Sequence, residues 1–489
     1  LTNVNGTLFF TTGLDYTNGV ELWKSDGTAA GTVMVKDINP GTGSGRPGNL
    51  TVVNGKLYFS ASNGSGIHLW SSDGTVAGTQ PVVNTGGAIL PQTDITPLTV
   101  VKNILYFNAG TASTGNELYK YDPANAAAGV SLVKDIVTGT AGGQPINMTA
   151  LADKAIYFSA VNIMGKQELW KSNGTTGGTK LIKTLDTATS TLSNFTDANG
   201  VLFFTYSNTA SGTELWKSDG TAIGTAMIKD IYPGNHSANI SGITYINNGI
   251  LIFNAADGVT GNELWRTNGT VNGTALLKNM NDNSTAGSYP DLYGALAANN
   301  KLYFSAYDPV YGNGLYSTDG TNAGTQLIKD LYYGSSPHVA NFSLFKNAVY
   351  FSADSSAITS IYKTDGTAAG TVKIFNPGKP NSTVTQMVAA SKYLYIFFYD
   401  ADSSRNELWV TDGTAANSYK IQNLSSLYPF GVAIGNTVYF AGQDAAYGAE
   451  LWKATAAVGS ARMVKDIYPG TQGSSPSGLR VLNNKLYFN

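Results

Sequence analysis

The chain of 489 residues contains no cysteine, which excludes disulfide bonds, thiolate zinc sites and cysteine nucleophiles. Charged residues make up only 13% of the sequence, against a usual share of ~25%, and the formal net charge is -2. Because phosphate binding needs clustered lysine and arginine, we expect no nucleic acid partner. The three histidines, His68, His236 and His338, fall in different repeats, and nothing in their spacing predicts a shared metal site.

Long apolar runs are also absent. The longest lies near Tyr393–Tyr399, whereas a bilayer-spanning helix needs ~20 apolar residues, so we expect no membrane span in this segment. The chain opens in the middle of a repeat at Leu1, with no leader peptide ahead of it, which favours a mature or excised segment. There is no glycine-rich phosphate loop and no nucleophile elbow, and we expect no cofactor and no bound metal.

The sequence does contain a short repeat, Glu-Leu-Trp, that accounts for every tryptophan and every glutamate. It occurs ten times, 43 to 51 residues apart, with tyrosine in place of tryptophan in three copies and another residue in place of glutamate in three copies. A single active site has no use for ten copies, so the repeat describes the fold. The aromatic positions are Trp23, Trp70, Tyr119, Trp170, Trp216, Trp265, Tyr316, Tyr362, Trp409 and Trp452. The acidic positions are Glu21, Glu117, Glu168, Glu214, Glu263, Glu407 and Glu450, with His68, Gly314 and Ser360 as replacements.

The sequence from Leu50 onward predicts which strands make up one repeat unit of about 48 residues. Leu50–Val53 is a short apolar strand, and the Asn-Gly pair after it is a two-residue hairpin signal. Lys56–Ala61 is an aromatic strand, His68–Ser71 carries the Glu-Leu-Trp position, and Gln80–Val83 is the fourth strand. Four short antiparallel strands per unit, with no helical periodicity, predict an all-β fold and a β-propeller blade. A β-solenoid is the alternative architecture.

Loop length sets the phase of the blade. The longest connection runs from the Lys-Asp-Ile segment to the next unit, so it is the crossover between blades, and we name the four strands A to D from that point. We predict ten blades over residues 1–489, followed by an extra hairpin at 479–489, arranged as one large ring or as two smaller rings. The predicted blades start near Leu1, Leu50, Leu98, Thr149, Phe195, Ile243, Leu292, Phe342, Met387 and Pro429. Lysines at the end of strand D, such as Lys36 and Lys229, are expected to protect the outer edge from pairing with other chains.

These units resemble a known family. Residues 21–32, 214–225 and 168–179 read ELWKSDGTAAGT, ELWKSDGTAIGT and ELWKSNGTTGGT, which is similar to the ELWxxDGT repeat proteins, large secreted bacterial proteins. Some of these carry a C-terminal sorting domain for type IX secretion. The resemblance covers the whole chain and implies export and a propeller-like repeat. It supplies no catalytic residue.

The Asp-Gly-Thr loop between strands C and D has the look of a metal site, but variation among its copies favours a structural role. Asn173 and Asn268 replace aspartate in two copies, which a site that needs charge would not tolerate. A side-chain oxygen that accepts backbone N–H groups in a turn tolerates both. For the Glu-Leu-Trp motif, we expect the tryptophan to pack between blades and the glutamate to accept hydrogen bonds or pair with a lysine. A ring of glutamates that binds cations is the alternative.

The A–B and C–D turns lie on one face of the blades and are uniform, whereas the B–C and D–A loops lie on the other and vary. Divergent loops on a uniform scaffold are typical of a binding surface. The variable face is rich in tyrosine, and the predicted ligand-binding residues are Tyr307 and Tyr311 in one B–C loop and Tyr332 and Tyr333 in the following D–A loop. Their partner is expected to be a protein or a glycan at the cell surface.

Three functional hypotheses remain open from the sequence. The first is an extracellular or cell-surface bacterial scaffold for binding, adhesion or surface assembly. The second is a polysaccharide-active enzyme, a lyase or glycosidase, for which Asp308, Asp400 and Asp402 are the candidate carboxylates outside the repeat. The third is a structural spacer within a longer surface filament.

Overall fold

A computed structural model describes the chain except for residues 16–17, 27, 29, 84–92, 153, 186–189, 248, 283–286, 332–337, 356–357, 425 and 489. Strands are the main regular secondary structure of the described residues, which also contain one 3-10 helix at Pro123–Ala128. No helix among them is long and apolar enough to cross a membrane. The chain divides into two compact units, Leu1–Ala238 and Asn239–Asn489.

The first unit contains five four-stranded antiparallel sheets, which are blades 1 to 5. Their strands are β1 (Thr2–Val4), β2 (Thr7–Asp15), β3 (Gly19–Ser25) and β4 (Val33–Lys36); β5 (Gly48–Val53), β6 (Lys56–Ser62), β7 (Ile67–Ser72) and β8 (Gln80–Pro81); β9 (Thr93–Val101), β10 (Ile104–Thr111), β11 (Gly115–Tyr121) and β12 (Ser131–Lys134); β13 (Ile146–Leu151), β14 (Ala155–Val161), β15 (Gln167–Ser172) and β16 (Lys180–Thr184); β17 (Thr191–Ala198), β18 (Val201–Asn208), β19 (Gly212–Ser218) and β20 (Ala226–Met227).

The second unit contains blades 6 to 10 and a two-stranded hairpin. Its strands are β21 (Ser241–Asn247), β22 (Ile250–Ala256), β23 (Asn262–Thr267) and β24 (Ala275–Lys278); β25 (Leu296–Ala298), β26 (Lys301–Asp308), β27 (Gly312–Thr318) and β28 (Gln326–Lys329); β29 (Ala340–Phe345), β30 (Ala348–Ser355), β31 (Ile358–Thr364) and β32 (Val372–Phe375); β33 (Ser382–Ala389), β34 (Leu394–Asp400), β35 (Arg405–Thr411) and β36 (Ser418–Leu424); β37 (Ser426–Ile434), β38 (Thr437–Asp444), β39 (Gly448–Ala454) and β40 (Arg462–Lys465); then β41 (Arg480–Leu482) and β42 (Lys485–Tyr487).

The four strands of every blade are hydrogen-bonded in chain order, so each blade is a simple meander with strand A at one edge and strand D at the other. Within a unit, the A strands of successive blades contact one another, as β5 does with β1 and β9, and as β33 does with β29 and β37. This arrangement of ten four-stranded sheets is that of a β-propeller, and the predicted fold class is confirmed.

Local chemistry explains the bounds of these strands. The A–B turn of blade 2 places Asn54 at φ 50° and Gly55 at φ 73°, two left-handed residues that a two-residue hairpin requires. Strand D of this blade is shorter than predicted. It ends at Pro81 and is as short as strand D of blade 5, which contains no proline.

Aromatic side chains fill the space between blades, as predicted from the repeat. Trp70 is 4% exposed and belongs to a cluster that joins blade 2 to Phe9 and Leu22 of blade 1. Its ring stacks against Phe59 of its own blade at 6.5 Å between centroids. The equivalent residues of later blades have the same role, Trp170 between blades 3 and 4 and Tyr362 between blades 7 and 8.

Lysine side chains connect several neighbouring blades within a unit. Lys24, which follows the tryptophan of blade 1, donates from Nζ to the carbonyl of Gly74 in blade 2 at 2.6 Å. Lys36, at the end of strand D, donates to the carbonyl of Thr79 at 2.9 Å, and its Nζ lies 5.8 Å from the centre of the Trp70 ring. The strand-D lysines therefore connect blades in addition to charging an edge. The prediction that Lys229 lies on strand D is wrong, because β20 ends at Met227.

Candidate functional site

The Asp-Gly-Thr loops on one face are closed turns whose polar groups satisfy one another. Asp73 Oδ1 accepts the N–H of Thr75 at 2.8 Å and its hydroxyl at 2.8 Å, and Thr75 Oγ1 accepts the N–H of Gly78 at 2.9 Å. Asn173 makes the same two bonds with Thr175, at 3.0 and 2.8 Å. A neutral amide oxygen accepts the same two hydrogen bonds as the carboxylate, so the prediction that this loop has a structural role is confirmed.

These aspartates remain charged at neutral pH. The two hydrogen bonds from Thr75 lower the pKa of Asp73, because they stabilise the carboxylate form. The turn also requires glycine at position 78, since a Cβ there would lie 2.0 Å from Asp73 Oδ1. Across the described residues, no group of three or more His, Cys, Asp or Glu side chains is placed to hold a metal ion.

The repeated glutamates lie under the crossovers, the segments that join strand D of one blade to strand A of the next. Glu21 is fully buried, and its carboxylate accepts the N–H groups of Ile38 at 2.9 Å and Gly45 at 2.6 Å. Glu117 of blade 3 accepts three N–H groups of the crossover that follows its blade in the same way. The predicted role as hydrogen-bond acceptor is confirmed for these residues. It also explains the motif, because the carboxylate caps the bend that leads into the next blade.

Burial changes the acidity of these carboxyl groups. Burial raises the pKa of Glu214 to about 7, against the partial compensation of hydrogen bonds from the N–H groups of Ile231 and Tyr232. The pKa values of Glu21, Glu117 and Glu263 are raised for the same reason. Glu214 has no solvent exposure, so a substrate on the surface does not reach its carboxyl group.

Blade 9 departs from this scheme and brings together two carboxylates. Its D strand runs almost directly into β37, and no long crossover follows Glu407. Instead, Lys379 from the preceding crossover donates to Glu407 Oε1 at 2.8 Å and to Asp400 Oδ2 at 2.7 Å, and Lys420 of strand D donates to Glu407 at 3.2 Å. Lysine lowers the pKa of both acids, that of Asp400 to about 2. Both carboxyl groups are therefore ionised at neutral pH, so neither of this pair is the protonated acid that glycoside hydrolysis needs.

The other two candidate carboxylates accept hydrogen bonds from neighbouring segments. Asp308 accepts the N–H groups of Val310 and Tyr311 at 2.7 and 3.1 Å, and the hydroxyl of Tyr316 at 3.2 Å. Asp402 accepts the amide of Asn381 at 2.9 Å. Asp308 thus organises its own B–C loop, and Asp402 joins its B–C loop to the preceding crossover.

The loop face is less variable than the sequence suggested. Several crossovers share one pattern, KDINPGTGSGRP at 36–47, KDIVTGTAGGQP at 134–145 and KDIYPGTQGSSP at 465–476. The expectation that D–A loops vary throughout is wrong for these blades, because the backbone that caps the buried glutamate must keep its shape. Variation concentrates at particular positions on a fixed backbone.

One of these positions is a residue that the crossover holds outward in a left-handed conformation. We call it the display position; it has φ values of 47°, 48°, 51°, 46° and 49° in Arg46, Gln144, Asn239, Tyr289 and Ser475. All five side chains are exposed, although the residue after each is buried. The N–H of Arg46, for example, is fixed by the carbonyl of Val20 at 2.9 Å. Non-glycine residues adopt this conformation infrequently, so the scaffold imposes it.

The predicted tyrosines fall into different environments. Tyr307 is 37% exposed at the end of β26, Tyr311 is half-buried in the adjoining loop, and Tyr332 and Tyr333 lie outside the described residues. Two tyrosines that were not among the predicted residues, Tyr289 and Tyr293, lie in the preceding crossover and are 65% and 84% exposed. The Gly-Ser-Tyr-Pro stretch, set against the repeated crossover pattern, would have revealed the first of them.

Backbone hydrogen bonds bring these tyrosines into one region of blade 7. The N–H of Tyr307 donates to the carbonyl of Ser288 at 2.8 Å, and the N–H of Asp291 donates to the carbonyl of Ser305 at 2.9 Å. The end of strand B and the crossover are thus joined side by side. Tyr289, Tyr293 and Tyr307, which we call the tyrosine patch, are all exposed at this junction.

Comparison with known proteins adds a likeness of fold. No protein-family model and no curated protein matches this chain. Among solved structures, a puromycin hydrolase is 12% identical with a TM-score of 0.31, and the match covers 69% of this chain and 55% of the hydrolase. Oligopeptidase B from Leishmania major is 9% identical with a TM-score of 0.35, over 73% of this chain and 53% of the peptidase. The β-propeller domain of the Trilobed protease from Pyrococcus furiosus is 11% identical with a TM-score of 0.30, over 67% of this chain and 95% of that domain. This chain thus spans only about half the length of the two peptidases.

Proposed function

We propose that this protein is a binding scaffold that works outside the bacterial cell or at its surface. Its blades hold the crossovers and B–C loops in a fixed frame, and the side chains on that face contact a protein or glycan partner. Adhesion and surface assembly are the roles that such a scaffold serves.

The observation that carries this proposal is the tyrosine patch. Tyr289 and Tyr293 present most of their surface to solvent, and Val310 nearby in the B–C loop is 56% exposed. Tyrosine combines a rigid apolar ring with a polar hydroxyl, so it contributes contact area at a small cost in side-chain entropy. The left-handed backbone at Tyr289 supports a role beyond packing, since it turns a large aromatic residue out of the blade.

The alternatives have less support. A glycosidase needs a protonated acid near a second carboxylate, and the paired acids of blade 9 are both held ionised by lysine. A spacer has no need of exposed aromatic residues at fixed, outward-facing positions. Binding is therefore the function that the geometry supports best.

The test is binding of the purified chain to a glycan array and to intact bacterial cells. The variant Tyr289→Asn/Tyr293→Ser/Tyr307→Ser removes the patch, and asparagine already occupies the display position at Asn239. Val271→Ser is the matched control, because Val271 is 62% exposed in a C–D loop on the opposite face.

We expect the wild type and the control to bind and the triple variant to lose at least ten-fold in affinity. Equal binding by the triple variant and the control would remove the tyrosine patch from the proposal. Binding to no glycan and no cell would favour the spacer, and cleavage of a polysaccharide would favour the enzyme.

A further inference from the structure

A polar cleft of about 540 Å³ lies on the loop face of the first unit, between blades 1 and 2. The crossover contributes Asn39, Thr42, Ser44 and Arg46, and blade 2 contributes Ser60 and Ser62 beside the apolar Ile67. This volume falls in the ~300–1,000 Å³ range of small-molecule sites. The cleft belongs to a different unit from the tyrosine patch, so the two are independent observations.

The hydroxyl groups of the cleft are oriented by the bonds they accept. Ser44 Oγ accepts the N–H of Val20 at 3.0 Å, Ser60 Oγ accepts the amide of Asn49 at 3.2 Å, and Ser62 Oγ accepts the N–H of Gly64 at 3.2 Å. Each hydroxyl keeps its own proton to donate. The cleft therefore offers three O–H donors to a ligand that carries acceptor oxygens.

Arg46 gives the cleft its charge. It occupies the display position, it is exposed, and no carboxylate of the described residues lies within ion-pair distance of it. Among the described residues, no acid lines the cleft. The repeated acid Glu21 lies beneath Gly45 and accepts the backbone N–H groups of the crossover. An arginine that stands among hydroxyl donors, with no ion-pair partner in the part of the chain that the structure describes, suits a carboxylate, which its planar guanidinium binds through two parallel hydrogen bonds.

We propose that this cleft binds an acidic saccharide, in which a uronic acid carboxylate pairs with Arg46 and the sugar hydroxyls meet the three serines. Ile67 supplies the apolar surface on which the ring rests. This inference rests on the proposed binding function and names a ligand class for a second location, on the loop face of the first unit.

The chain itself provides the control variants. Gln144 occupies the equivalent display position in a later crossover of the same unit, with φ 48° and an exposed side chain. Arg46→Gln introduces the residue that the chain already has at the equivalent display position. Gln144→Arg adds a second arginine in a different crossover, away from the cleft. Ser62→Ala tests the hydroxyls separately.

The experiment is calorimetric titration of the full chain with a uronic acid disaccharide, its methyl ester and inorganic phosphate. We expect the disaccharide to bind, the methyl ester to bind at least ten-fold more weakly, and Arg46→Gln to lose at least ten-fold in affinity, because a hydrogen-bonded charge pair is removed. Gln144→Arg and the triple tyrosine variant should bind the disaccharide as the wild type does. Thermal melting confirms that each variant is folded.

Three results would overturn the inference: no binding of the disaccharide, equal binding by Arg46→Gln, or equal binding of the methyl ester. Phosphate that binds as tightly as the disaccharide would show an anion site with no recognition of the sugar, and that also overturns it. Loss of disaccharide binding in the triple tyrosine variant would do the same, by moving the site to the tyrosine patch. Failure here, with cell binding still dependent on the tyrosines, leaves the proposed function standing.

Discussion

Replacement of Glu117 by glutamine tests whether the repeated glutamate is the cap that holds each crossover. The side chain is fully buried, Oε1 accepts the N–H groups of Val137 at 2.9 Å and Gly143 at 2.7 Å, and Oε2 accepts that of Ile136 at 2.8 Å. Glutamine has the same shape, but one acceptor oxygen becomes an NH2 donor. If its oxygen stays with Val137 and Gly143, its NH2 group points at the N–H of Ile136.

The expected loss follows from this geometry. One buried N–H without an acceptor costs about 1–3 kcal/mol, and the two donors also repel each other. Removal of a buried charge offsets part of this, because burial raises the pKa of Glu117 and thus disfavours its ionised form. We expect a net loss of about 1–3 kcal/mol in the free energy of unfolding of the first unit. For domains of 150–250 residues, each kcal/mol lowers the melting temperature by about 2–4 °C.

The assay combines thermal unfolding with native-state hydrogen exchange, and the amides of Ile136, Val137 and Gly143 should lose protection first. Glu168→Gln is the matched control. Glu168 accepts from the side chains of Trp170 at Oε2 and of Asn162 and Thr184 at Oε1, each at 3.0 Å, so its replacement does not remove the acceptor of a crossover N–H. The reasoning is refuted if Glu117→Gln destabilises the protein no more than Glu168→Gln does, or if the three amides keep their protection.

Three further predictions concern stability. The folded pKa of Glu214, about 7, lies above its unfolded value of 4.5, so its contribution to stability is fully present below pH 4.5 and is lost as the pH rises through 7; Glu214→Gln should flatten calorimetric stability over this range, and an unchanged slope would contradict the assignment. Asp73→Asn and Asn173→Asp should each change the melting temperature by less than 1–2 °C, whereas Asp73→Ala should cost about 1–2 kcal/mol through two lost hydrogen bonds; equal effects of all three in thermal melts would oppose a structural role for the loop. Gly220→Ala places a Cβ 2.2 Å from Tyr157 Oη of the preceding blade at φ 85°, so it should destabilise by about 2 kcal/mol or more, and Tyr157→Phe should recover part of that loss in a double-mutant cycle; additive effects would mean that the two residues do not meet.

The strand pattern was predictable because short-range chemistry fixes it. An Asn-Gly pair admits left-handed residues at two adjacent positions, so the hairpin at Asn54 and Gly55 follows from local preferences alone. The end of strand D was less predictable, because the apolar run to Val83 favours a longer strand than the one that ends at Pro81. The packing role of Trp70 was predictable from repetition, since a large apolar side chain in every unit has to be buried against the next.

The candidate sites were less predictable, because they depend on residues distant in sequence. Lys379 and Glu407 are both ordinary residues in the sequence, and only the loss of a long crossover after blade 9 brings them together with Asp400. The cleft at Arg46 depends on a strand of one blade and a crossover of another. Tyr293 became noticeable only when its exposure was known.

The sequence by itself determined the repeating four-stranded unit, the hairpin turns and the structural role of the Asp-Gly-Thr loop, because each depends on groups within a few residues of one another. Tertiary structure decided which side chains are exposed to solvent and which acidic side chains are buried. Glu21 of β3 accepts the N–H of Gly45, the neighbour of Arg46 in the crossover, yet Glu21 is fully buried and Arg46 is exposed. That difference arises because the crossover folds back over the blade, so its N–H groups turn inward to the carboxylate while its left-handed residue turns outward.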